Sequence, residues 1–177
     1  MAKVIVVDDK RCLGCKSCVL ACALAHSDAG SLAEAVAAEV PPQARVHVEP
    51  LGDRALPLQC RHCEDAPCMA VCPTGAIGRA GPDAPVLIDP DRCIGCRFCM
   101  VACPFGVIEL SRDGRAMVKC DLCIERTEAG KPPACVEACP TRALRFVEPE
   151  EPLRGRRREV ARRLAAARAE QDDDAGL

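Results

Sequence analysis

Sixteen cysteines divide this chain of 177 residues into four quartets, and every quartet closes on the same Cys-x3-Cys step. Cys12, Cys15, Cys18 and Cys22 form the first, spaced x2, x2, x3. Cys60, Cys63, Cys68 and Cys72 form the second, spaced x2, x4, x3, with Pro73 next. Cys93, Cys96, Cys99 and Cys103 repeat the first spacing and are followed by Pro104. Cys120, Cys123, Cys135 and Cys139 form the last, with eleven residues between the middle pair and Pro140 at the end. No cysteine is left over. A device repeated at this density dictates how the chain can fold.

The spacing points to iron-sulfur cubanes. A cubane needs four thiolates around a compact cluster, and Cys-x2-Cys-x2-Cys lets one tight loop supply three of them. Gly14 and Gly95 lie inside such loops, where they permit backbone angles that a side chain would resist and let N–H groups turn toward a cluster. Structural zinc more often pairs two separated Cys-x2-Cys knuckles, and loops this tight suit ligation better than disulfides. A fourth cysteine, read as lying on a short helix ended by Pro, ligates the neighbouring cluster in two-cluster ferredoxins, so quartets are expected to work in pairs. Composition agrees. With no Trp or Tyr and only three Phe, the chain lacks the large side chains that fill ordinary cores, and clusters must stand in for them.

Between the quartets the sequence predicts short strands over 3–7, 86–89, 107–110, 117–119 and 143–147, bounded by Pro, Gly and Asp. Ser31 and Glu34 form a capping box for a helix carrying Leu32, Val36 and Val40 on one face, stopped by Pro41 and Pro42. A strand over 45–49 then alternates, with Val46 and Val48 on one side. Past residue 148 the chain is rich in Arg and Ala. Leu153, Val160, Leu164 and Ala167 fall on a helical stripe there, giving either a docking helix or a solvated tail.

The motifs Cys12-Leu-Gly-Cys-Lys-Ser-Cys, Cys60-Arg-His-Cys-Glu-Asp-Ala-Pro-Cys with Cys72-Pro-Thr-Gly, Cys93-Ile-Gly-Cys-Arg-Phe-Cys with Cys103-Pro-Phe-Gly, and Lys119-Cys-Asp-Leu-Cys with Cys135-Val-Glu-Ala-Cys-Pro carry a family resemblance. Over about residues 4–147 the chain resembles the four-cluster ferredoxin-type electron-transfer subunits that accompany dimethyl sulfoxide reductase, formate dehydrogenase, formate hydrogenlyase, carbon monoxide dehydrogenase and tungsten aldehyde oxidoreductase. The resemblance implies an α+β, ferredoxin-like fold of two pseudo-symmetric two-cluster modules, one nested in the other. The outer would span 1–50 and 110–148, the inner 51–109, with 149–177 appended. It also implies exchanged ligands for four 4Fe-4S clusters. Cluster 1 would take Cys12, Cys15, Cys18 and Cys139; cluster 2, Cys22, Cys120, Cys123 and Cys135; cluster 3, Cys60, Cys63, Cys68 and Cys103; and cluster 4, Cys72, Cys93, Cys96 and Cys99. Ala23 stands where the simple ferredoxin pattern has Pro after a fourth cysteine, which leaves the end of that helix open.

Sixteen thiolates for sixteen iron corners leave no open iron site. No Ser-His-Asp or Cys-His set can be assembled without removing a ligand, and there is no Gly-rich nucleotide fingerprint. The expectation is a non-catalytic electron relay. Its implied partner is a catalytic oxidoreductase subunit, a molybdenum or tungsten aldehyde or formate enzyme or a carbon monoxide dehydrogenase, with a hydrogenase or flavoprotein as the other terminal and self-association open. A free ferredoxin serving several enzymes is the alternative. His62 is expected at the surface or as a hydrogen-bond donor rather than as a ligand. Lys16, Arg61, Arg97 and Lys119 lie in or next to the cysteine loops, where positive charge or N–H donation would raise a cluster's potential; the favoured expectation for them is solvated charges. A net charge of −2 makes no case for nucleic acid. No stretch is apolar enough for a membrane span or a secretion signal, so the expected compartment is the cytoplasm.

Overall fold

A computed structural model describes residues 3–174, with side chains as far as residue 165. Its framework is four small antiparallel hairpins or strand pairs laid between loops and short helices. β1 (Val4–Val7) pairs with β8 (Leu144–Val147), β2 (Val46–Leu51) with β3 (Arg54–Gln59), β4 (Ile77–Gly78) with β5 (Leu87–Ile88), and β6 (Glu109–Leu110) with β7 (Met117–Val118). The register Val4↔Val147 to Val7↔Leu144 brings the segment before the first quartet alongside the one after the last. One further bond extends that pairing, from Asp8 N to Ala143 O at 2.8 Å, and the β4–β5 pair has its counterpart from Asp89 N to Ala76 O at 2.8 Å.

Five of the strands lie within the segments anticipated from sequence, and β2 covers the sixth. β3 and β4 were not anticipated. β3 follows β2 through a two-residue Gly52-Asp53 connection in which Gly52 takes φ +61, a turn that favours glycine at that place. Pro50 and Pro57 inside this hairpin disguise it as loop; both are tolerated because a two-stranded ribbon has only edges.

The helices are short because each serves a loop. α1 (Ser17–Ala25), α3 (Pro67–Ala70), α4 (Phe98–Ala102) and α6 (Ala134–Glu137) follow the first, second, third and fourth quartets' opening cysteines, and each holds the third cysteine of its quartet. The fourth cysteines Cys72, Cys103 and Cys139 lie just beyond the helix ends, not on the helices as expected. Cys22 differs. Without a Pro at position 23, α1 continues past it to Ala25 and is capped by His26.

α2 (Leu32–Ala37) starts as the capping box predicts, with Glu34 N donating to Ser31 Oγ at 3.3 Å. The Glu34 carboxylate reaches one residue further back than expected and accepts from Gly30 N at 2.8 Å. The helix ends before Val40, and its buried face is Ala35; Val36 is 78% exposed. A six-residue helix on a loop has room to bury only its smallest residue. α5 (Ile124–Glu128) fills the long gap of the last quartet. α7 (Glu150–Asp174) forms one helix with Leu153, Val160 and Leu164 all more than half exposed. The side chain of Ala167 lies outside the described residues.

Two buried sets make the interior, and both are part cysteine. Ile5, Val46, Leu122 and Leu144 pack with Cys18, Cys22, Cys120 and Cys135. Ala66, Ile77, Val86, Ile108 and Met117 pack with Cys68 and Cys99. Among the described residues no helix is long and apolar enough to cross a membrane.

Candidate metal centres

All sixteen cysteines are free thiols, so no disulfide competes for them. The loops that present them share one conformation. Gly14 and Gly95 both take φ +65, and Lys16 and Arg97 two residues on take φ +59 and +67, left-handed angles that wrap the backbone around the loop centre before α1 and α4 begin. A Cβ at Gly14 would stand 3.3 Å from that of Ala55, so the hairpin itself leaves space only for hydrogen there. In the second and fourth quartets the same role falls to His62 (φ +48) and Leu122 (φ +61), whose N–H groups donate to Cys60 Sγ at 3.4 Å and Cys120 Sγ at 3.5 Å.

Cysteines distant in sequence meet around shared spaces. Cys12, Cys15, Cys18 and Cys139 line one small cavity. Cys60, Cys63, Cys68 and Cys103 line another. Cys22, Cys120 and Cys135 share a buried set, with Cys123 also buried. Cys72 packs against the set that holds Cys68 and Cys99, as do Cys63, Cys93 and Cys103.

The electrostatics repeat this grouping. In each quartet the third cysteine is buried, and burial pushes its thiol up. Neighbouring thiols push further: Cys139, Cys15 and Cys12 on Cys18, which reaches about 11; Cys60 and Cys103 on Cys68; Cys93 and Cys96 on Cys99, also about 11; and Cys120, Cys22 and Cys123 on Cys135. Four crowded thiols resist ionising together unless a cation takes their charge, as iron does. The fourth cysteines are handled differently. Burial raises Cys72 and Cys139, but backbone N–H groups of the turns that follow, with the hydroxyls of Thr74 and Thr141 at 3.8 Å, bring each below the usual thiol value. Thiols of other groups act as well: Cys18 on Cys135, Cys60 on Cys120, and Cys68 on Cys99, the last ahead of Cys96.

Buried polar atoms without partners point the same way. Both amide atoms of Gln59 and both ring nitrogens of His62 are enclosed and make no hydrogen bond to protein. They stand beside Cys60, where cluster sulfides would be acceptors for their N–H groups. The donor set, the cavities and these orphaned groups fit iron-sulfur cubanes. Of the two places sequence had allowed His62, the surface is ruled out for its ring nitrogens, which are enclosed, while donation is left to the cluster side; burial, with Lys119 adding, holds its imidazole down at about 3. Lys119 is a second correction. It is 3% exposed and donates to the carbonyls of Val86 and Cys120, whereas Lys16, Arg61 and Arg97 are exposed as expected.

One feature near Cys22 went unnoticed in the sequence. Arg45 N donates to Cys22 Sγ at 3.2 Å, and Arg45 Nη1 reaches Asp121 Oδ2 at 2.5 Å. His26 Nδ1 donates to Cys22 O at 2.8 Å and lies 3.6 Å from Cys22 Sγ. Burial pulls His26 down, but its bonds to Asp121, Cys123 and Cys22 outweigh that and hold it at about 12. Burial would raise Asp121, yet His26 and Arg45 keep it well below the ordinary carboxylate range. Ala23 was the available signal, since only a helix running past Cys22 can deliver His26.

The fold and the thiol groupings define a ferredoxin-like α+β protein of iron-sulfur chemistry. The chain matches a family described as a 4Fe-4S dicluster domain over residues 54–149, and a 4Fe-4S binding domain over residues 9–25. It is 46% identical over 157 residues to an iron-sulfur protein of Rhodospirillum rubrum, covering 82% of each chain. It is 42% identical to the putative electron transport protein YsaA of Escherichia coli K12, covering 90% of this chain and 98% of that one. To a subunit of the anaerobic dimethyl sulfoxide reductase of the same organism it is 39% identical, covering 79% of this chain and 70% of that one. The chain belongs to the family of four-cluster ferredoxin-type electron-transfer subunits, and its cofactors are four 4Fe-4S clusters.

Proposed function

We propose that this protein is the non-catalytic electron-relay subunit of a cytoplasmic oxidoreductase complex, with its four clusters held by exchanged ligands. Cluster 1 takes Cys12, Cys15, Cys18 and Cys139; cluster 2, Cys22, Cys120, Cys123 and Cys135; cluster 3, Cys60, Cys63, Cys68 and Cys103; cluster 4, Cys72, Cys93, Cys96 and Cys99. Each cluster supplies one-electron exchange when bound.

The nested arrangement is supported by how the strands match. The strand before the first quartet pairs with the one after the last (β1–β8), and the strand before the third pairs with the one after the second (β5–β4). The remaining hairpins, β2–β3 and β6–β7, each run from an odd quartet to the next even one. On this reading residues 1–50 and 110–148 form the outer module and 51–109 the inner one. Both boundaries fall inside hairpins, which strap the modules together, and 149–177 is an appendage.

The observation that carries the relay is exposure. Only Cys15 and Cys96 are exposed, and they occupy equivalent places in the first and third quartets. On this ligand assignment the influences of Cys18 on Cys135, Cys60 on Cys120 and Cys68 on Cys99 support a row running from cluster 1 through clusters 2 and 3 to cluster 4, with the exposed cysteines on the two end clusters. Every ligand assigned to cluster 2 is buried. Exposed apolar side chains flank both ports, Leu13 (72%) and Leu20 (56%) at one and Ile94 (66%) and Phe98 (59%) at the other. Such surroundings suit docking of a partner. The partner at one end is a catalytic subunit, a molybdenum or tungsten aldehyde or formate enzyme or a carbon monoxide dehydrogenase; the other end meets a second redox protein such as a hydrogenase or flavoprotein. The name of the dimethyl sulfoxide reductase relative supports a reductase complex of this kind.

Gentle anaerobic purification followed by native mass measurement tests this. A stoichiometric catalytic subunit is expected. A chain that is always found alone, or one that alone turns over aldehyde, formate, hydrogen or carbon monoxide with an artificial acceptor, would overturn the proposal.

A further inference from the structure

Lys119 is 3% exposed, and its ammonium donates to two carbonyls, those of Val86 and of Cys120 (3.2 Å for the latter). Val86 walls the cavity lined by Cys60, Cys63, Cys68 and Cys103. Cys120 belongs to the neighbouring buried group with Cys22 and Cys135. The side chain thus bridges the second and third members of the row. Its charge is felt at the third of the row: it pulls the Cys68 thiol down against burial, and it adds to the burial that holds down His62.

A buried cation needs a counter-charge. The described residues give Lys119 no carboxylate partner: the nearest in sequence, Asp121, is committed to Arg45 and His26. Arg79 donates to the carbonyls of His62 and Cys63, and Arg61, the cation that lines this cavity, is exposed with its guanidinium over the Phe105 ring. Its two carbonyl partners belong instead to Cys120, a cysteine of one set, and to Val86, which walls the cavity of the other, and both sets are anionic once they ligate iron.

We propose that Lys119 is a fixed positive charge shared by the two middle clusters, raising both reduction potentials together and setting the centre of the relay apart from its ends. This rests on the ligand assignment proposed above. A cation favours the reduced, more negative cluster over the oxidised one, and the low-dielectric interior leaves that preference largely unscreened. Lys119 acts on the clusters through space and ligates nothing.

The test is an electron paramagnetic resonance titration of the cluster-loaded protein against potential. In Lys119→Met, which keeps the aliphatic stem, two of the four one-electron steps are expected to move to lower potential by about tenfold in equilibrium constant, ~59 mV each, while the other two stay. Lys119→Arg should hold both near the starting values. No movement, movement of one step alone, or an equal drift of all four would overturn the proposal. If the methionine variant loses iron, Lys119→Gln retains an N–H donor for the carbonyls without the charge, and the same pair of shifts is required of it. Iron content separates this from the reading beneath it: an unaltered protein that lacks about sixteen iron or four steps sinks the ligand assignment, whereas a fully loaded variant with unmoved steps sinks only the role of Lys119.

Discussion

His26 Nε2 donates to Asp121 Oδ1 at 3.0 Å across 95 positions of sequence, joining the end of α1 to the loop of the last quartet. The same Asp121 oxygen accepts from Cys123 N at 2.9 Å, and its other oxygen from Arg45. A single carboxylate therefore ties three segments together around Cys22. Replacing His26 by Ala leaves Asp121 short of a charged donor in a mostly enclosed place, a loss of about 2 kcal/mol. In guanidinium, the midpoint for bleaching of the visible cluster absorption should fall clearly below that of the unaltered protein. An unchanged midpoint would show the clamp to be idle.

Ala23→Pro restores the residue that follows the fourth cysteine in the other three quartets, and it should be harmful here. Position 23 lies inside α1, where Pro removes a helix hydrogen bond and clashes with the preceding turn at a cost of about 3 kcal/mol. The helix end that carries His26 would be displaced. Lower iron retention during anaerobic gel filtration checks this, and full retention would mean that the extended helix is dispensable.

Exchanged ligation predicts damage at a distance. Cys72→Ser should alter the cluster held by Cys93, Cys96 and Cys99, and Cys22→Ser the one held by Cys120, Cys123 and Cys135, because a hydroxyl is a poorer ligand for iron than a thiolate. A crystal structure of the loaded protein decides it by inspection. Cys72 Sγ bonded to the same cubane as Cys60 would refute the scheme.

Removal of the clusters should largely unfold the chain. Six of its cysteines sit in the two buried sets, and the apolar residues beside them are few and of modest size. Circular dichroism of the chelated, reduced protein should lose most of its helix and strand signal. Native signals retained without iron would show that the polypeptide packs by itself.

The sequence revealed what is local. Cysteine spacing marked the loops, Gly14 and Gly95 adopt the left-handed angles their loops require, and most strands lie where apolar residues meet Pro, Gly and Asp. Where an outcome depends on distant segments, the sequence was silent or misleading. Lys119 and His62 read as surface groups because polar residues usually are, and only the approach of the second quartet to the fourth encloses them. α2 buries Ala35 in place of the Val36 stripe because nothing packs on that stripe. β4, two residues long, has no pattern to read; it exists only because β5 lies alongside.

The pairing of β1 with β8 also sets a timetable for the protein's maturation. A nascent chain that has left the ribosome as far as residue 110 carries every proposed ligand of clusters 3 and 4, along with both strands of the β4–β5 pair. On the proposed ligation its first quartet, by contrast, waits for Cys139, Cys120, Cys123 and Cys135, and β1 stays an open edge until Leu144–Val147 is made. On that ligation the middle of the molecule can be assembled early, while the thiols of the first quartet must be kept reduced and unclaimed until residue 139 has been made.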